Sequence, residues 1–227
     1  MKRFAKWLVR VQIKSYRLLD TFLDLLFPKN LMVQELEKMS AVEFANGSGG
    51  HGVDRLFHGH YPPECAEWCR AILTYRDRYV RTAVWELKYR KSAKIASIFG
   101  ELLVQELAKY AGDSLVIPIP LSEKRRRERG YNQIELILEQ LPAGNRWNIE
   151  LDLLHRKHHT VPQTKLSRAE RLKNLDDCFE VTDPQRVVGK NVVIVDDVMT
   201  TGSTLRRARE VLLKAGAKEV LGLALAH

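Results

Sequence analysis

The chain is 227 residues long, and its 45% hydrophobic and 29% charged residues fit one large globular domain or one domain with an appendage. The net charge of +9 favours anionic partners, namely phosphorylated metabolites, nucleic acid or an anionic membrane surface. Three cysteines are too few, and an odd number, for a disulfide framework, so we expect a protein of the reducing cytoplasm.

The first 27 residues predict a basic amphipathic helix, because apolar side chains recur at steps of three and four residues. Basic residues interrupt its apolar stretches, which excludes a secretory signal and a membrane-spanning helix here. The helix could pack on the protein's own core, contact a membrane peripherally or bind a partner. Residues 45–52 are rich in glycine and predict a linker. We therefore expect an N-terminal extension over residues 1–50 and the main domain over residues 51–227.

Two histidines and two cysteines follow the predicted linker, namely His58, His60, Cys65 and Cys69. A zinc site needs about four nitrogen or sulfur ligands, and a structural site usually shows two closely spaced pairs. The second cysteine pair is missing, and Cys65 and Cys69 also fit one face of a helix as small hydrophobic residues. These four residues are weak zinc candidates, and zinc is not expected.

The middle of the chain predicts two helices, over residues 75–89 and 92–110, joined by a basic tip at residues 87–91. The apolar run that begins at Leu115 predicts a strand, which should end at Pro118 to Pro120 because proline cannot donate to the ladder. A basic run follows, and Asn132 is expected to cap a helix that reaches Leu141. Such a run most often forms a solvated face, but after a strand end in an α/β protein it borders the ligand crevice.

Residues 192–205 carry the strongest functional signal of the sequence. Four apolar β-formers predict a buried parallel strand, Asp196 and Asp197 lie at its end, and a loop of hydroxyl residues around Gly202 leads into a helix. Free N–H groups at a helix start, a glycine and hydroxyls suit a phosphate group, and paired carboxylates suit sugar hydroxyls or a metal-bound sugar phosphate. A buried strand with a capped helix would explain one threonine or one acid, but not the whole set. After a C-cap at Gly216, a last strand is expected over residues 220–226.

Residues 192–205 contain neither a G-x-x-x-x-G-K-[ST] nor a G-x-G-x-x-G motif, which argues against a nucleoside-triphosphatase P-loop and a dinucleotide-binding fold at this stretch. Residues 192–205 instead resemble the ribose-phosphate-binding signature of type I phosphoribosyltransferases. Four blocks in order resemble the ComF (ComFC/GntX-like) competence family of these proteins, over about residues 70–227: residues 87–90, 117–133, 163–174 and the signature itself. The resemblance implies an α/β, Rossmann-like fold with a mainly parallel sheet flanked by helices.

The resemblance also implies roles for individual residues. Asp196 and Asp197 would hold the ribose hydroxyls of phosphoribosyl pyrophosphate (PRPP) as the catalytic pair. The 5′-phosphate loop would comprise Val198, Met199, Thr200, Thr201, Gly202, Ser203 and Thr204. The other expected substrate-binding residues belong to the helix tip, the pyrophosphate loop with the basic run, and a flexible loop that closes over PRPP: Lys88, Pro118, Leu121, Lys124, Arg125, Arg129, Gln163, Arg168 and Arg171.

Two positions depart from the family pattern. The family usually carries an N-terminal zinc ribbon with Cys-x-x-Cys pairs, which this sequence lacks. The glycine that usually follows residues 87–90 is Lys91 here, so a differently shaped tip is expected.

The function implied is transfer of phosphoribosyl from PRPP to an unknown acceptor, with Mg²⁺ and release of pyrophosphate, linked to DNA uptake and the competence machinery. Two alternatives stay open. The protein could bind PRPP or single-stranded DNA without turnover, or it could be a purine or pyrimidine salvage phosphoribosyltransferase.

Overall fold

The computed structural model describes residues 31–47, 55–110, 114–141, 147–156 and 178–227. The chain divides into two units, residues 1–38 and 39–227. Within the described part of the first unit, the regular element is helix α1 (Leu31–Leu36). The helix predicted over residues 1–27 lies outside the described residues. The predicted domain boundary at residue 50 also lies outside them and stays a prediction.

The second unit alternates helices and strands in the following chain order: α2 (Ala41–Asn46), β1 (Cys69–Leu73), α3 (Arg78–Arg90), α4 (Ala93–Leu107), β2 (Leu115–Pro118), α5 (Glu123–Arg129), α6 (Gln133–Leu138), β3 (Asn148–Ile149), β4 (Leu154–Arg156), β5 (Phe179–Val181), a 3₁₀ turn (Pro184–Arg186), β6 (Asn191–Val198), α7 (Ser203–Lys214) and β7 (Glu219–Ala226).

Five of the described strands form a parallel sheet in the order β1-β7-β6-β2-β3. Strand β6 lies at its centre, where Val195 is in register with Pro118 of β2 and with Leu223 of β7. The apolar residues of β6, β2 and β7 are almost all buried, as expected for a parallel sheet covered on both faces. Because the strands are parallel, their carboxyl ends meet at one edge of the sheet. Strands β4 and β5 form a separate antiparallel pair.

Local capping signals explain where the two long helices begin. The Asp77 carboxylate accepts hydrogen bonds from the backbone N–H groups of Tyr79 and Val80, and the Ser92 hydroxyl accepts from Ile95. The helices predicted at 75–89 and 92–110 are therefore confirmed, with starts at residues 78 and 93. The predicted tip at residues 87–91 was wrong in part, because residues 87–90 form the last turn of α3.

Other boundaries also needed correction. Strand β6 continues past the predicted apolar residues to Val198, and Asp196 and Asp197 lie at its end as predicted, within its last three residues. Helix α6 begins after Asn132 as predicted but ends at Leu138. The predicted linker was wrong at its start, because residues 45 and 46 complete α2, which Gly47 ends with a left-handed φ of 71°.

Several elements had no sequence prediction. The basic run forms α5, none of whose residues is buried, and this solvated surface explains the missing apolar periodicity. Strand β1 and the β4–β5 pair are short and depend on neighbours distant in sequence. Among the described helices, none has the length and apolar character needed to cross a membrane.

Candidate functional site

Asp197 is a buried carboxylate whose oxygens are held by three different segments. Its Oδ1 accepts from the backbone N–H of Val198 at 2.6 Å. Its Oδ2 accepts from Nε2 of Gln133 at 2.5 Å and lies 2.8 Å from Nζ of Lys88. The two charged side chains are only 12% and 18% exposed, so solvent screens this ion pair weakly.

The partners of Asp197 come from two helices that meet at the carboxyl edge of the sheet. Lys88 lies in the last turn of α3, and Gln133 begins α6. Arg129 extends the contact, because its Nη1 donates to Oε1 of Gln133 at 3.2 Å. Three of the four sequence blocks therefore converge on one carboxylate, which the spacing of the blocks along the chain did not predict.

A second contact fixes the end of α3 against the start of α6. The hydroxyl of Tyr131 donates to the carbonyl of Leu87 and accepts from the backbone N–H of Lys91 at 3.0 Å. Lys91 has φ 51° and ψ 39°, and it is the one non-glycine residue with positive φ among the described residues. Lys91 thus adopts the left-handed conformation that glycine favours, at the position where the family pattern has a glycine.

Asp196 is half-buried, and its Oδ1 accepts from the backbone N–H of Asp197 at 2.8 Å. Burial, and next the charge of Asp197, raise the pKa of Asp196 to about 7, although Lys88 and Arg156 oppose this shift. Asp196 is therefore poised to exchange a proton near neutral pH. The two acids differ in role, since Asp197 anchors neighbouring helices and Asp196 has the carboxylate with fewer protein partners.

Arg156 is a site residue that the sequence prediction missed. It ends β4, its Nε donates to the carbonyl of Pro120 at 2.8 Å, and its Cζ lies 4.8 Å from the centroid of the Phe179 ring. Burial lowers the pKa of Arg156, while the charge of Asp196 favours its protonated form. The sequence signal that could have identified it is a basic residue two positions after the apolar pair Leu153 and Leu154. The bond to Pro120 ties the predicted pyrophosphate loop to the β4–β5 pair.

The predicted 5′-phosphate loop opens into a cavity of about 320 Å³. Its lining combines the loop with α7 and the segment before β1: Pro62, Glu64, Cys65, Thr200, Thr201, Gly202, Ser203 and Arg206. No side chain caps the first turn of α7, and the backbone N–H of Ser203 reaches only Oγ1 of Thr201 at 3.4 Å. A helix start without a side-chain cap suits an anion. Arg206 adds positive charge to the cavity lining, which also contains the acidic Glu64.

Gly202 is required by two features of this loop. Its φ of 70° is left-handed, and a Cβ added there would lie 2.7 Å from Sγ of Cys65. Cys65 is buried and also contacts Met199 of the same loop, with Sγ and Sδ 4.0 Å apart. Close packing beneath the loop therefore fixes the backbone that faces the cavity.

The remaining predicted binding residues lie on different elements and differ in exposure. Pro118 ends β2 next to β6, and the following N–H, of Ile119, donates to the carbonyl of Val195 at 2.8 Å. Leu121 is half-buried, and Lys124 and Arg125 are exposed on α5. Gln163, Arg168 and Arg171 lie outside the described residues.

The weak zinc candidates separate into a buried and an exposed pair. Cys65 and Cys69 are buried, and burial raises the pKa of both thiols, whereas His58 and His60 are exposed. The described ranges contain no group of three or more His, Cys, Asp or Glu residues that could hold a metal ion. The two cysteines do not share a helix face, since Cys69 begins β1. Both are nevertheless buried, as the alternative interpretation of them as small hydrophobic residues predicts.

Comparison with known proteins gives the same fold. A family model described as a phosphoribosyl transferase domain matches residues 137–226. The competence protein ComFC of Streptococcus pneumoniae is 33% identical over 168 residues, which are 69% of this chain and 70% of that protein. ComFC of Bacillus subtilis is 33% identical over 155 residues, 65% of this chain and 58% of that protein.

Two further similarities cover smaller shares of this chain. The DNA utilization protein YhgH of Escherichia coli is 33% identical over 143 residues, 60% of this chain and 62% of that protein. A solved glutamine PRPP amidotransferase from B. subtilis, complexed with ADP and GMP, is 25% identical with a TM-score of 0.42, over 63% of this chain and 30% of that one. The parallel sheet flanked by helices, the phosphoribosyl transferase domain and the extent of identity to ComFC show that this chain belongs to the ComFC family and has the type I phosphoribosyltransferase fold.

Proposed function

We propose that this protein binds PRPP with Mg²⁺ and transfers its phosphoribosyl group to an acceptor, releasing pyrophosphate. One observation carries the proposal: the end of β6 presents Asp196, and the segment that follows directly opens into the cavity at the start of α7. A ribose 5-phosphate needs hydroxyl acceptors next to an anion site, and this continuous segment offers both.

Asp196 and Asp197 would accept hydrogen bonds from the two ribose hydroxyls. The N–H groups and hydroxyls of residues 200–203 would donate to the 5′-phosphate, whose dianion also favours the start of α7. Arg156, anchored at Pro120, would hold the pyrophosphate loop in place beside the donor. Lys88 is close enough to Asp197 to neutralise it before PRPP arrives and to reach a phosphate oxygen afterwards.

Mg²⁺ fits this set of residues. Proteins hold Mg²⁺ through one or two carboxylates together with substrate phosphate oxygens and water, and the adjacent Asp196 and Asp197 supply that carboxylate contribution. When bound, Mg²⁺ would supply neutralisation of the pyrophosphate charge.

The reaction would break the bond between ribose C1 and the pyrophosphate oxygen, and the bonding pair would leave with pyrophosphate. A nucleophilic acceptor would form the new bond at C1 and lose a proton. Positive charge develops on the ribose ring in such a displacement, so the carboxylates of Asp196 and Asp197 are suitably placed to stabilise it. Arginine and lysine side chains of the pyrophosphate loop and the basic run would stabilise the leaving group.

The biological setting is proposed from the relatives. Their names connect two of them with competence and one with DNA utilization. We propose a related role in DNA uptake for this protein. Its described cysteines, Cys65, Cys69 and Cys178, are free thiols, which supports a cytoplasmic location.

Calorimetry with Mg²⁺ and PRPP tests the donor site. Asp196→Ala combined with Asp197→Ala should abolish binding, because each lost charge-assisted contact costs about 1.5–3 kcal/mol. The matched control, Asp152→Ala with Glu180→Ala, removes two exposed carboxylates outside the site and should bind as the wild type does. Unchanged affinity in the Asp196/Asp197 variant would refute the assignment.

Pyrophosphate release across a panel of acceptors tests turnover. The panel should include purines, pyrimidines and single-stranded DNA. Release that depends on one acceptor supports transfer and identifies the substrate. Tight PRPP binding without pyrophosphate release in the presence of any acceptor would show that the protein binds PRPP but does not turn it over.

A further inference from the structure

Arg207 carries a buried nitrogen that no hydrogen bond satisfies. The residue lies near the start of α7 and is half-buried, and its Nε has no hydrogen-bond partner among the described residues. A buried donor on a charged group costs free energy when it has lost water and gained no acceptor. Such donors are exceptions in folded proteins, and an anionic ligand can supply the missing acceptor.

A second guanidinium group lies close to that of Arg207. Helix α7 packs on β5, which pairs with β4, and β4 ends at Arg156. Burial lowers the pKa of Arg156, and the charges of Arg125 and Arg207 lower it further, while Cys178 and Asp196 oppose this shift. Asp196 carries at most one negative charge, so it cannot neutralise both Arg156 and Arg207. The pair therefore favours an additional anion of higher charge.

The two adjacent arginines of α7 have different surroundings. Arg206 lines the cavity at the predicted 5′-phosphate loop, whereas Arg207 is close enough to Arg156 for their charges to interact. Successive residues of an α-helix are about 100° apart around its axis, which explains this separation. PRPP likewise carries two anionic groups, a 5′-phosphate and a pyrophosphate on C1, at different positions of its ribose. Each cationic position therefore has a matching group on PRPP.

We propose that Arg207, together with Arg156, binds the pyrophosphate group of PRPP, while Arg206 contributes to the 5′-phosphate site. This inference rests on the proposed function, and it assigns the leaving group to two residues outside the predicted substrate-binding set. A guanidinium group donates two parallel hydrogen bonds to phosphate oxygens, and pyrophosphate has enough negative charge to neutralise both arginines. Negative charge that develops on the departing pyrophosphate would strengthen these contacts, so Arg207 would favour cleavage of the bond at C1.

Calorimetry with inorganic pyrophosphate in Mg²⁺-free buffer tests the assignment, with ribose 5-phosphate as the second probe. Arg207→Gln should weaken pyrophosphate binding about tenfold or more, because a charge-assisted contact is lost, and should keep ribose 5-phosphate affinity within about twofold of the wild type. Arg206→Gln removes the same charge one residue away and should weaken the binding of ribose 5-phosphate but not of pyrophosphate. Lys214→Gln, at the exposed far end of α7, should change neither affinity and controls for net charge.

Urea unfolding without ligand distinguishes a binding role of Arg207 from a structural one. Replacement of an arginine that supports the fold lowers the free energy of unfolding. Arg207 instead holds an unsatisfied donor close to another cation, so Arg207→Gln should leave this free energy unchanged or raise it. Arg207→Met, which keeps an unbranched stem without the charge, should behave in the same way. Saturating pyrophosphate should stabilise the wild type more than either variant.

Any of three results would overturn the assignment. The first is a wild-type protein that does not bind pyrophosphate, and the second is an Arg207→Gln variant that binds pyrophosphate as tightly as the wild type. The third is an equal loss of affinity for pyrophosphate and ribose 5-phosphate with a lower free energy of unfolding, which would make Arg207 a structural residue. Absence of turnover across the acceptor panel would refute the proposed transfer but leave these binding results unchanged.

Discussion

At the scale of single residues, adjacent positions of the signature have separate physical roles. Asp197 is buried and bonded to Lys88 and Gln133, whereas Asp196 retains exposure and a pKa of about 7. Gly202 gives the following loop a backbone that no other residue could adopt without strain and collision.

PRPP binding should depend on pH through Asp196. Ribose hydroxyls and Mg²⁺ favour its ionised form, so affinity should rise about tenfold between pH 6 and pH 8 if the pKa is about 7. Calorimetry at several pH values measures this rise. Asp196→Asn should remove the Asp196 contribution and retain only the titration of PRPP itself, so an identical pH profile for wild type and variant would contradict the prediction.

The titration of Asp196 should also change the free energy of unfolding, but in the opposite direction: this free energy should fall as the pH rises. The pKa of Asp196 is raised from 3.8 to about 7 on folding, so the folded state holds the proton more tightly. This stabilisation is present below about pH 4 and is lost as pH rises through about 7.

Gly202→Ala should destabilise the protein and weaken PRPP binding. The left-handed backbone costs about 1–2 kcal/mol for a residue with Cβ, and contact with Cys65 adds to this. Gly189→Ala is a matched control, since Gly189 has φ 71° but open space around the added Cβ. The difference in unfolding free energy between the two variants, measured with urea, gives the cost of the contact between the added Cβ and Cys65. Equal losses of unfolding free energy would show that Cys65 moves aside freely.

At the scale of elements, the site depends on where helices end and begin. The last turn of α3 delivers Lys88, the first turn of α6 delivers Gln133, and the end of β4 delivers Arg156. Each element boundary has a local cause, such as the Asn132 cap of α6 or the left-handed Lys91 after α3. The elements therefore act as rigid supports that bring three side chains to one strand end.

A double-mutant cycle should show strong coupling between Lys88 and Asp197. Lys88→Met and Asp197→Asn, singly and together, should give a coupling free energy of about 1.5–3 kcal/mol in urea unfolding, because this pair is little exposed. Lys124 and Glu128 provide a control pair on α5, 3.9 Å apart and 84% and 56% exposed. Their coupling should be about 0–0.5 kcal/mol, and similar values for both pairs would contradict the structural role of Lys88.

At the scale of the whole molecule, the parallel sheet places the ends of β2, β6 and β7 at one edge, where the proposed donor site lies. Helices α3 and α6 contact Asp197 at this edge through Lys88 and Gln133.

Mg²⁺ with PRPP should stabilise the entire fold through linkage. At a PRPP concentration of 100 times the Kd, the free energy of unfolding should rise by about 2.7 kcal/mol. Thermal unfolding with and without PRPP measures this effect. The Asp196→Ala, Asp197→Ala protein should show no shift, and a shift of equal size in that protein would place PRPP elsewhere.

Local sequence patterns were enough to predict the fold and the segment that we propose holds the donor. Residues 192–205 form a strand, a loop and a helix from local propensities, so a contiguous motif was sufficient to predict Asp196, Asp197 and the cavity loop. The start of α6 was also predictable, because the Asn132 cap depends on a residue two positions along the chain, Ile134.

The distant side chains that complete the proposed site could not be predicted from local sequence and became apparent in the folded structure. Gln133 lies 64 residues from Asp197 in the sequence, and Lys88 and Arg156 come from further separate elements. Their convergence depends on the order of strands in the sheet and on the packing of α3 and α6 at its edge. No local pattern encodes that arrangement, because the free energy that fixes it comes from burial of the whole sheet between its helices.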